Sequence, residues 1–155
     1  METKQSKETI TPLNIHYSLE IEGVQVGVFD RISGGDTEID VIQHAVVYEN
    51  GGFATLMLPG PRKNQPVVLE SGYGNTAELY HWFEQAARGD IFSARRNATI
   101  SLNAFVDGEY QPVIQWHLLN VWPAKLSGVT LGQQGTDRAR FSITLVFETI
   151  EREDL

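Results

Sequence analysis

Alternation constrains this chain more than any other feature of its sequence. Apolar and polar residues change places at every second position, and that period belongs to half-buried β-strands, whose successive side chains point to opposite faces. Ile15, Tyr17, Leu19 and Ile21 alternate with His16, Ser18, Glu20 and Glu22. Glu22-Gly23 reads as a tight turn into Val24, Val26 and Val28, so the first two strands make a hairpin. Ser33-Gly34-Gly35-Asp36 interrupts the pattern, and Glu38 to Tyr48 resumes it with Ile39, Val41, Ala45 and Val47 on one face. Ile42 and Val46 make the other face partly apolar, which implies cover on both sides, from the chain's own core or from a neighbouring copy.

Asn50-Gly51-Gly52 opens a stretch of different character. Pro59, Pro61 and Pro66 fall within eight residues, which argues against a regular central strand. The stretch is nevertheless apolar. Tyr48, Phe53, Leu56, Met57, Leu58, Pro59 and Gly60 read as an arm that contacts another subunit, since exposed apolar surface marks interfaces. The competing reading is a loop folded back on its own core.

Val67 to Glu70 is a short strand, and Thr76 to Arg88 is the one clear helix. Asn75 is placed to cap it with Glu78 at capping-box spacing, Leu79, Trp82, Phe83 and Ala86 form one apolar stripe, and Gly89 follows its end. Trp82 and Phe83 are therefore expected in the core. Alternation returns at Ala98, Ile100, Leu102 and Ala104, Asp107-Gly108 turns the chain, and Pro112 to Asn120 comes back with Ile114, Trp116 and Leu118 on one face. Trp122-Pro123 ends or bulges that strand. Lys125 to Leu131 is a short strand, Gly132 to Asp137 a loop, and Phe141, Ile143, Leu145 and Phe147 mark the last strand, before a charged tail, Glu151 to Leu155, expected to fray. Seven or eight strands and one helix make a mainly β fold: an antiparallel β-barrel or sandwich with one flanking α-helix. At 155 residues this is one domain, 12–155, preceded by a polar, flexible N-terminal arm, 1–11.

Composition narrows the function. The chain has no cysteine, which removes disulfides, thiolate metal sites and cysteine nucleophiles. Its formal net charge of -8 is the wrong sign for tight nucleic-acid binding. No apolar run is long enough to span a membrane as a helix, and the polar N-terminus has no apolar core of a signal peptide, so synthesis in the cytoplasm without membrane insertion is expected. His16, His44, His81 and His117 have no ligand spacing, and no nucleophile elbow, Walker loop or dinucleotide fingerprint occurs. Glu20 with Glu22, and Glu38 with Asp40, are carboxylates two apart on a strand, which suits a solvated or lumen-facing acidic face better than a catalytic pair. No catalytic, metal or cofactor-binding residue is assigned and no enzyme activity is expected.

Several segments then match one family in order. Leu19-Glu20-Ile21-Glu22-Gly23 with Gly27-Val28-Phe29-Asp30-Arg31-Ile32-Ser33-Gly34 resembles the opening hairpin of phage-type tail tube proteins. Leu58-Pro59-Gly60, Lys63 and Val67-Val68-Leu69-Glu70-Ser71-Gly72 are similar to the family's loop and next strand, and Leu79-Tyr80-His81-Trp82-Phe83 through Arg88-Gly89 to its helix. Arg95-Arg96-Asn97-Ala98-Thr99-Ile100 and the run from Trp116 to Gly128 resemble its second half. The resemblance spans Pro12 to Glu151 and points to the inner tubes of contractile tails and extracellular contractile injection systems.

That resemblance implies a homohexameric ring, rings stacked into a hollow conduit for cargo or DNA that passes without specific binding, and partners in a sheath, a baseplate and a tape-measure protein. It places the protein in a phage-tail-like particle or virion. It implies that the arm reaches an adjacent subunit and that Glu20, Glu22, Glu38 and Asp40 are candidates to face the lumen. A tube-initiating baseplate ring protein, a type VI secretion tube protein, and a small β-barrel ligand-binding module or enzyme are the alternatives.

Overall fold

The computed structural model describes residues 15–128 and 141–155; the expected N-terminal arm 1–11, the end of the Lys125–Leu131 strand and the loop 132–137 lie outside them. Nine strands and two helices follow in the order β1 (Ile15–Ile21), β2 (Val24–Gly34), β3 (Thr37–Val47), β4 (Phe53–Asn64), β5 (Val67–Gly74), α1 (Thr76–Ala87), α2 (Ile91–Ala94), β6 (Arg96–Val106), β7 (Glu109–Ser127), β8 (Phe141–Val146) and β9 (Thr149–Asp154).

Between barrel and sandwich, the structure makes a barrel. The strands run in the order β6-β1-β2-β5-β8-β7, and β7 pairs back onto β6, which closes six antiparallel strands into a ring. Closure pairs β6 with β7, two strands that an open sheet in that order would leave apart. It depends on β7, which is 19 residues long and serves two neighbours in succession. Its first part pairs with β6, and Trp122 to Ser127 pair with β8. The switch falls at Asn120, which takes a positive φ of 53°, and at a register shift between Pro123 and Lys125. The expected interruption at Trp122-Pro123 is thus a bulge within one strand, and Lys125 to Ser127 continue that strand rather than beginning another.

The barrel interior is the apolar half of the alternation. Leu19, Phe29, Leu69, Ile100, Leu118, Ile143 and Leu145 are completely buried in one cluster. Helix α1 packs against β7 and adds Leu79 and Trp82 to the same core. Its cap is the one expected: Asn75 Oδ1 accepts from the Glu78 N–H at 3.1 Å, and Asn75 Nδ2 donates to Glu78 Oε2 at 3.2 Å. Phe83 is only half-buried. The Trp82 indole N–H donates to the Ala94 carbonyl, which fastens α2, a single turn absent from the sequence reading, against α1.

Three expectations need correction. In β2 the alternation of Val24, Val26 and Val28 does not hold to the end: the register against β1 shifts beside Leu19, and beyond it Phe29 rather than Val28 points into the core. Gly72 lies opposite Phe29 and leaves room for its ring, where a Cβ would collide. The charged tail does not fray. Strand β9 pairs with the middle of β7 from Ile114 to Leu119, outside the barrel, so that β7 has a neighbour on each side there. The apolar stretch after Asn50 is not irregular. It is β4, a 12-residue strand paired with β3 in a separate two-stranded sheet. Both prolines inside it are tolerated because a two-stranded ribbon has only edge strands, where an N–H can be lost from the outward side. They also sit at a register shift, Ile39 opposite Arg62 but Val41 opposite Pro59, where Gly60 and Pro61 form the bulge.

Candidate assembly surfaces

The β3–β4 ribbon leaves the barrel as a paired arm. Its root is held by short-range bonds: Gly35 N–H to the Pro66 carbonyl at 3.1 Å, Gln65 N–H to the Asp36 carbonyl at 2.9 Å, and Asn64 Nδ2 to the Glu148 carbonyl at 2.7 Å. Gly34 and Gly35 both adopt positive φ at this junction, and a Cβ on Gly34 would collide with the Pro66 carbonyl oxygen. Beyond the root the ribbon has no extensive packing with any barrel strand.

Its sequence is nonetheless that of a core element. The register from Val41–Pro59 to Val47–Phe53 is regular, so cross-strand pairs sort the side chains by face. Val41, Val47, Phe53 and Met57 lie on one face with Ala45 and Thr55; Ile42, Val46, Leu56 and Leu58 lie on the other with His44. All of these large apolar residues except Val46 are exposed, Phe53 at 82%. A ribbon that is apolar on both faces and, among the described residues, packed on neither exposes more hydrophobic surface than a free monomer ordinarily tolerates. The seven arm residues named from sequence, Tyr48, Phe53, Leu56, Met57, Leu58, Pro59 and Gly60, all lie on this ribbon or its connecting turn. Missing from that set are the β3 partners Val41, Ile42 and Val47; the signal was present in the two-sided apolarity of β3, whose missing cover is the same surface.

The second surface is polar and lies on the outer face of β1, β6, β7 and β9. Register aligns Ser18, Ser101, Gln115 and Glu153 in one row and Glu20, Thr99, His117 and Glu151 in the next. Hydrogen bonds tie the rows together. Asn103 Nδ2 donates to Ser18 Oγ at 3.0 Å, Gln115 Nε2 donates to Ser101 Oγ at 3.2 Å, Thr99 Oγ1 lies 3.2 Å from His117 Nδ1, and His117 Nε2 lies 2.9 Å from Glu153 Oε2. At its edge His16 stacks edge-on against Tyr110, centroids 4.3 Å apart. Desolvation lowers the His16 pKa below its usual value, against an upward pull from Asp30.

The four carboxylates singled out in the sequence sit on two separate parts of the fold. Glu20 joins the polar face, and Glu22 occupies the β1–β2 turn with its N–H donated to the Asn97 carbonyl at 3.0 Å. Glu38 and Asp40 are near the ribbon root, opposite Lys63 and the bulge; Asp40 Oδ2 pairs with Lys63 Nζ at 3.1 Å. Among the described residues no group of three His, Asp or Glu is arranged to hold a metal ion. A small apolar cavity of about 150 Å³ opens beside the ribbon root, between Ile32, Val67, Ile100, Trp116 and Ile150, with no titratable group in its wall.

Comparison with known proteins agrees with this geometry. The family model described as T4-like virus tail tube protein gp19 matches residues 13–151. Among solved structures, a chain of the PVC sheath–tube complex, an extracellular contractile injection system in its extended state, superposes with a TM-score of 0.61 at 18% identity, covering 100% of this chain and 99% of that one. A chain of the tube-terminating cap of the anti-feeding prophage gives 0.59 at 18% identity, covering 99% and 97%; one from that particle's baseplate gives 0.58 at 19% identity, covering 99% and 98%. At these identities the likeness is one of fold. No curated protein sequence matches the chain.

Proposed function

The chain belongs to the T4-like virus tail tube protein family, and from that membership we propose that it is the inner-tube subunit of a contractile, phage-tail-like particle, six copies closing a ring and rings stacking into a hollow conduit. The family is structural, not enzymatic, and its members are components of tail-like particles. The observation that carries the finer reading is the ribbon. The barrel closes on itself, yet β3 and β4 carry core-like side chains that no described residue of the same chain covers. In this reading another chain covers them, and in a tube the abundant neighbour is another copy. The arm residues Tyr48, Phe53, Leu56, Met57, Leu58, Pro59 and Gly60 are then subunit-interface residues.

The polar face of β1, β6, β7 and β9 is the surface best suited to the lumen. Its hydrogen-bonding groups are largely spent on one another, and its carboxylates Glu20, Glu151 and Glu153 repel nucleic acid, so cargo slides without sticking. Glu22 would stand at the rim of that face. Glu38 and Asp40, beside the ribbon root, would border the lumen only where the arm does. Sheath, baseplate and tape-measure proteins are the expected partners, as the solved complexes with this fold include a sheath–tube complex and a baseplate. Residues 12–155 act as one domain in this reading, with 1–11 as an appended arm.

Negative-stain microscopy of the purified protein, with baseplate or tape-measure partners present, should show rings or tubes with six-fold symmetry. Persistent monodisperse monomers under those conditions would overturn the proposal.

A further inference from the structure

We infer that Asn50, in the turn that joins β3 to β4, is a site of spontaneous deamidation by its own backbone, whatever surface the ribbon meets. Of the seven asparagines in the chain, only Asn50 precedes a glycine. That position matters because the attacking atom is the next residue's backbone nitrogen, and a side chain on that residue crowds its approach. Gly51 takes a φ of 81°, and nothing stands within 4 Å of where a Cβ on it would lie.

The turn also prepares the amide. The Gly52 N–H donates to Asn50 Oδ1 at 3.0 Å. Oδ1 is the atom that gains negative charge when Cγ is attacked, so this donor stands where it stabilises the tetrahedral intermediate. The Gly51 nitrogen gives its proton to solvent base and bonds to Cγ. The Cγ–Nδ2 bond then breaks, and ammonia leaves with a proton taken from water. Water opens the resulting five-membered cyclic imide at either carbonyl, which leaves aspartate or isoaspartate at position 50; in sum, water is consumed and ammonia released. Two backbone bonds oppose the attack: the Gly51 N–H donates to the Tyr48 carbonyl at 2.9 Å, and the Tyr48 N–H to the Gly52 carbonyl at 2.8 Å. The turn from Tyr48 to Gly51 is exposed and the ribbon has no extensive packing with any barrel strand, so local opening frees the nitrogen. Other asparagine amides are committed elsewhere. Asn64 and Asn120 donate to the Glu148 carbonyl and carboxylate at 2.7 and 2.8 Å, Asn75 caps α1, and Asn103 is buried against Ser18. The product adds a carboxylate beside Glu49, at the end of a ribbon that has no Asp, Glu, Lys or Arg from Val41 to Val47 or from Phe53 to Leu58. Its isoaspartate form also lengthens the backbone of the turn by a carbon.

The purified full chain is incubated at mildly alkaline pH beside a synthetic peptide of residues 46–55, and both are followed by peptide mass spectrometry and enzymatic isoaspartate methylation. The expected result is the mass gain of an amide becoming an acid, confined to Asn50 and developing within ten-fold of the peptide's rate. Asn50→Gln, whose cyclisation needs a six-membered ring, should slow conversion at this position by about ten-fold or more. Conversion of Asn50 more than ten-fold slower than in the peptide would mean that the turn protects it, and would overturn the inference. Conversion spread over the other asparagines at a comparable rate, or an Asn50→Gln chain that converts at position 50 as fast as the unsubstituted one, would overturn it as well.

Discussion

Replacing Leu56 and Leu58 with aspartate separates the arm's proposed role in assembly from any role in folding. Burying a leucine side chain completely is worth about 1.5–3 kcal/mol. In the free chain the two leucines remain 45% and 46% exposed, so roughly half of that gain is still to be made when a partner covers the face. The double change therefore forfeits about 2 kcal/mol of apolar contact at each arm. It also places two carboxylates in the contact, and a buried charge that the covering surface leaves uncompensated costs several kcal/mol more, about 3–5 for a broken pair. At 1.4 kcal/mol per factor of ten, each contact weakens by at least a thousand-fold, enough to abolish rings built from repeated copies. The free chain loses far less, since the ribbon lies outside the buried cluster. Light scattering after size exclusion should show monomers, microscopy should show no rings, and the thermal midpoint should fall by only a few degrees. Leu69→Ala is the contrasting control: Leu69 is completely buried, and its truncation should destabilise the fold by about 2–5 kcal/mol. Global unfolding of the aspartate variant would show that the arm belongs to the folding core; normal rings would show that this face meets nothing.

Other outcomes follow from particular contacts. Gly34→Ala should cost about 1–2 kcal/mol for its left-handed backbone and more for the collision with the Pro66 carbonyl, whereas Gly51→Ala, also left-handed but with open space around it, should show the first cost alone; denaturant midpoints compare the two. Asn75→Ala removes the α1 cap and should lower stability by about 1 kcal/mol, a shift of about 2–4 °C by calorimetry. Trp82→Phe leaves the Ala94 carbonyl without its buried donor and should cost about 1–3 kcal/mol, read by denaturant unfolding. The lowered His16 pKa means that the unfolded chain binds the extra proton first as pH falls. Its contribution is complete above the unfolded value of about 6.5 and is lost downward through the folded value, so His16→Gln should flatten that acid-side slope in a melting-temperature profile.

Alternation was legible without coordinates because it is local. Side-chain parity along a strand depends only on the backbone period, so Leu19, Ile21, Ile100, Leu118, Ile143 and Leu145 could be placed inside from the sequence. Parity failed only where a bulge resets it, which is why Phe29 was missed. The α1 cap was legible for the same reason as the alternation: Asn75 and Glu78 meet within one turn. Family membership could be read from the ordered motifs, and the structural role follows from it.

What the sequence could not decide was pairing. Six strands close a barrel only because β7 leaves β6 after Val121 and joins β8 from Trp122, a choice between partners far apart in the chain that no local pattern encodes. The charged tail looked frayed because nothing in Glu151 to Leu155 announces that β7 has a free edge beside it. The prolines of β4 looked like strand breakers because proline forbids a central strand, and only the tertiary structure shows that β4 is an edge strand at a bulge. The sequence by itself determined which side chains must leave water. The tertiary structure decided which of them the described chain buries and which, on the ribbon, stay exposed among the described residues, because burial depends on the whole path of the chain and parity does not.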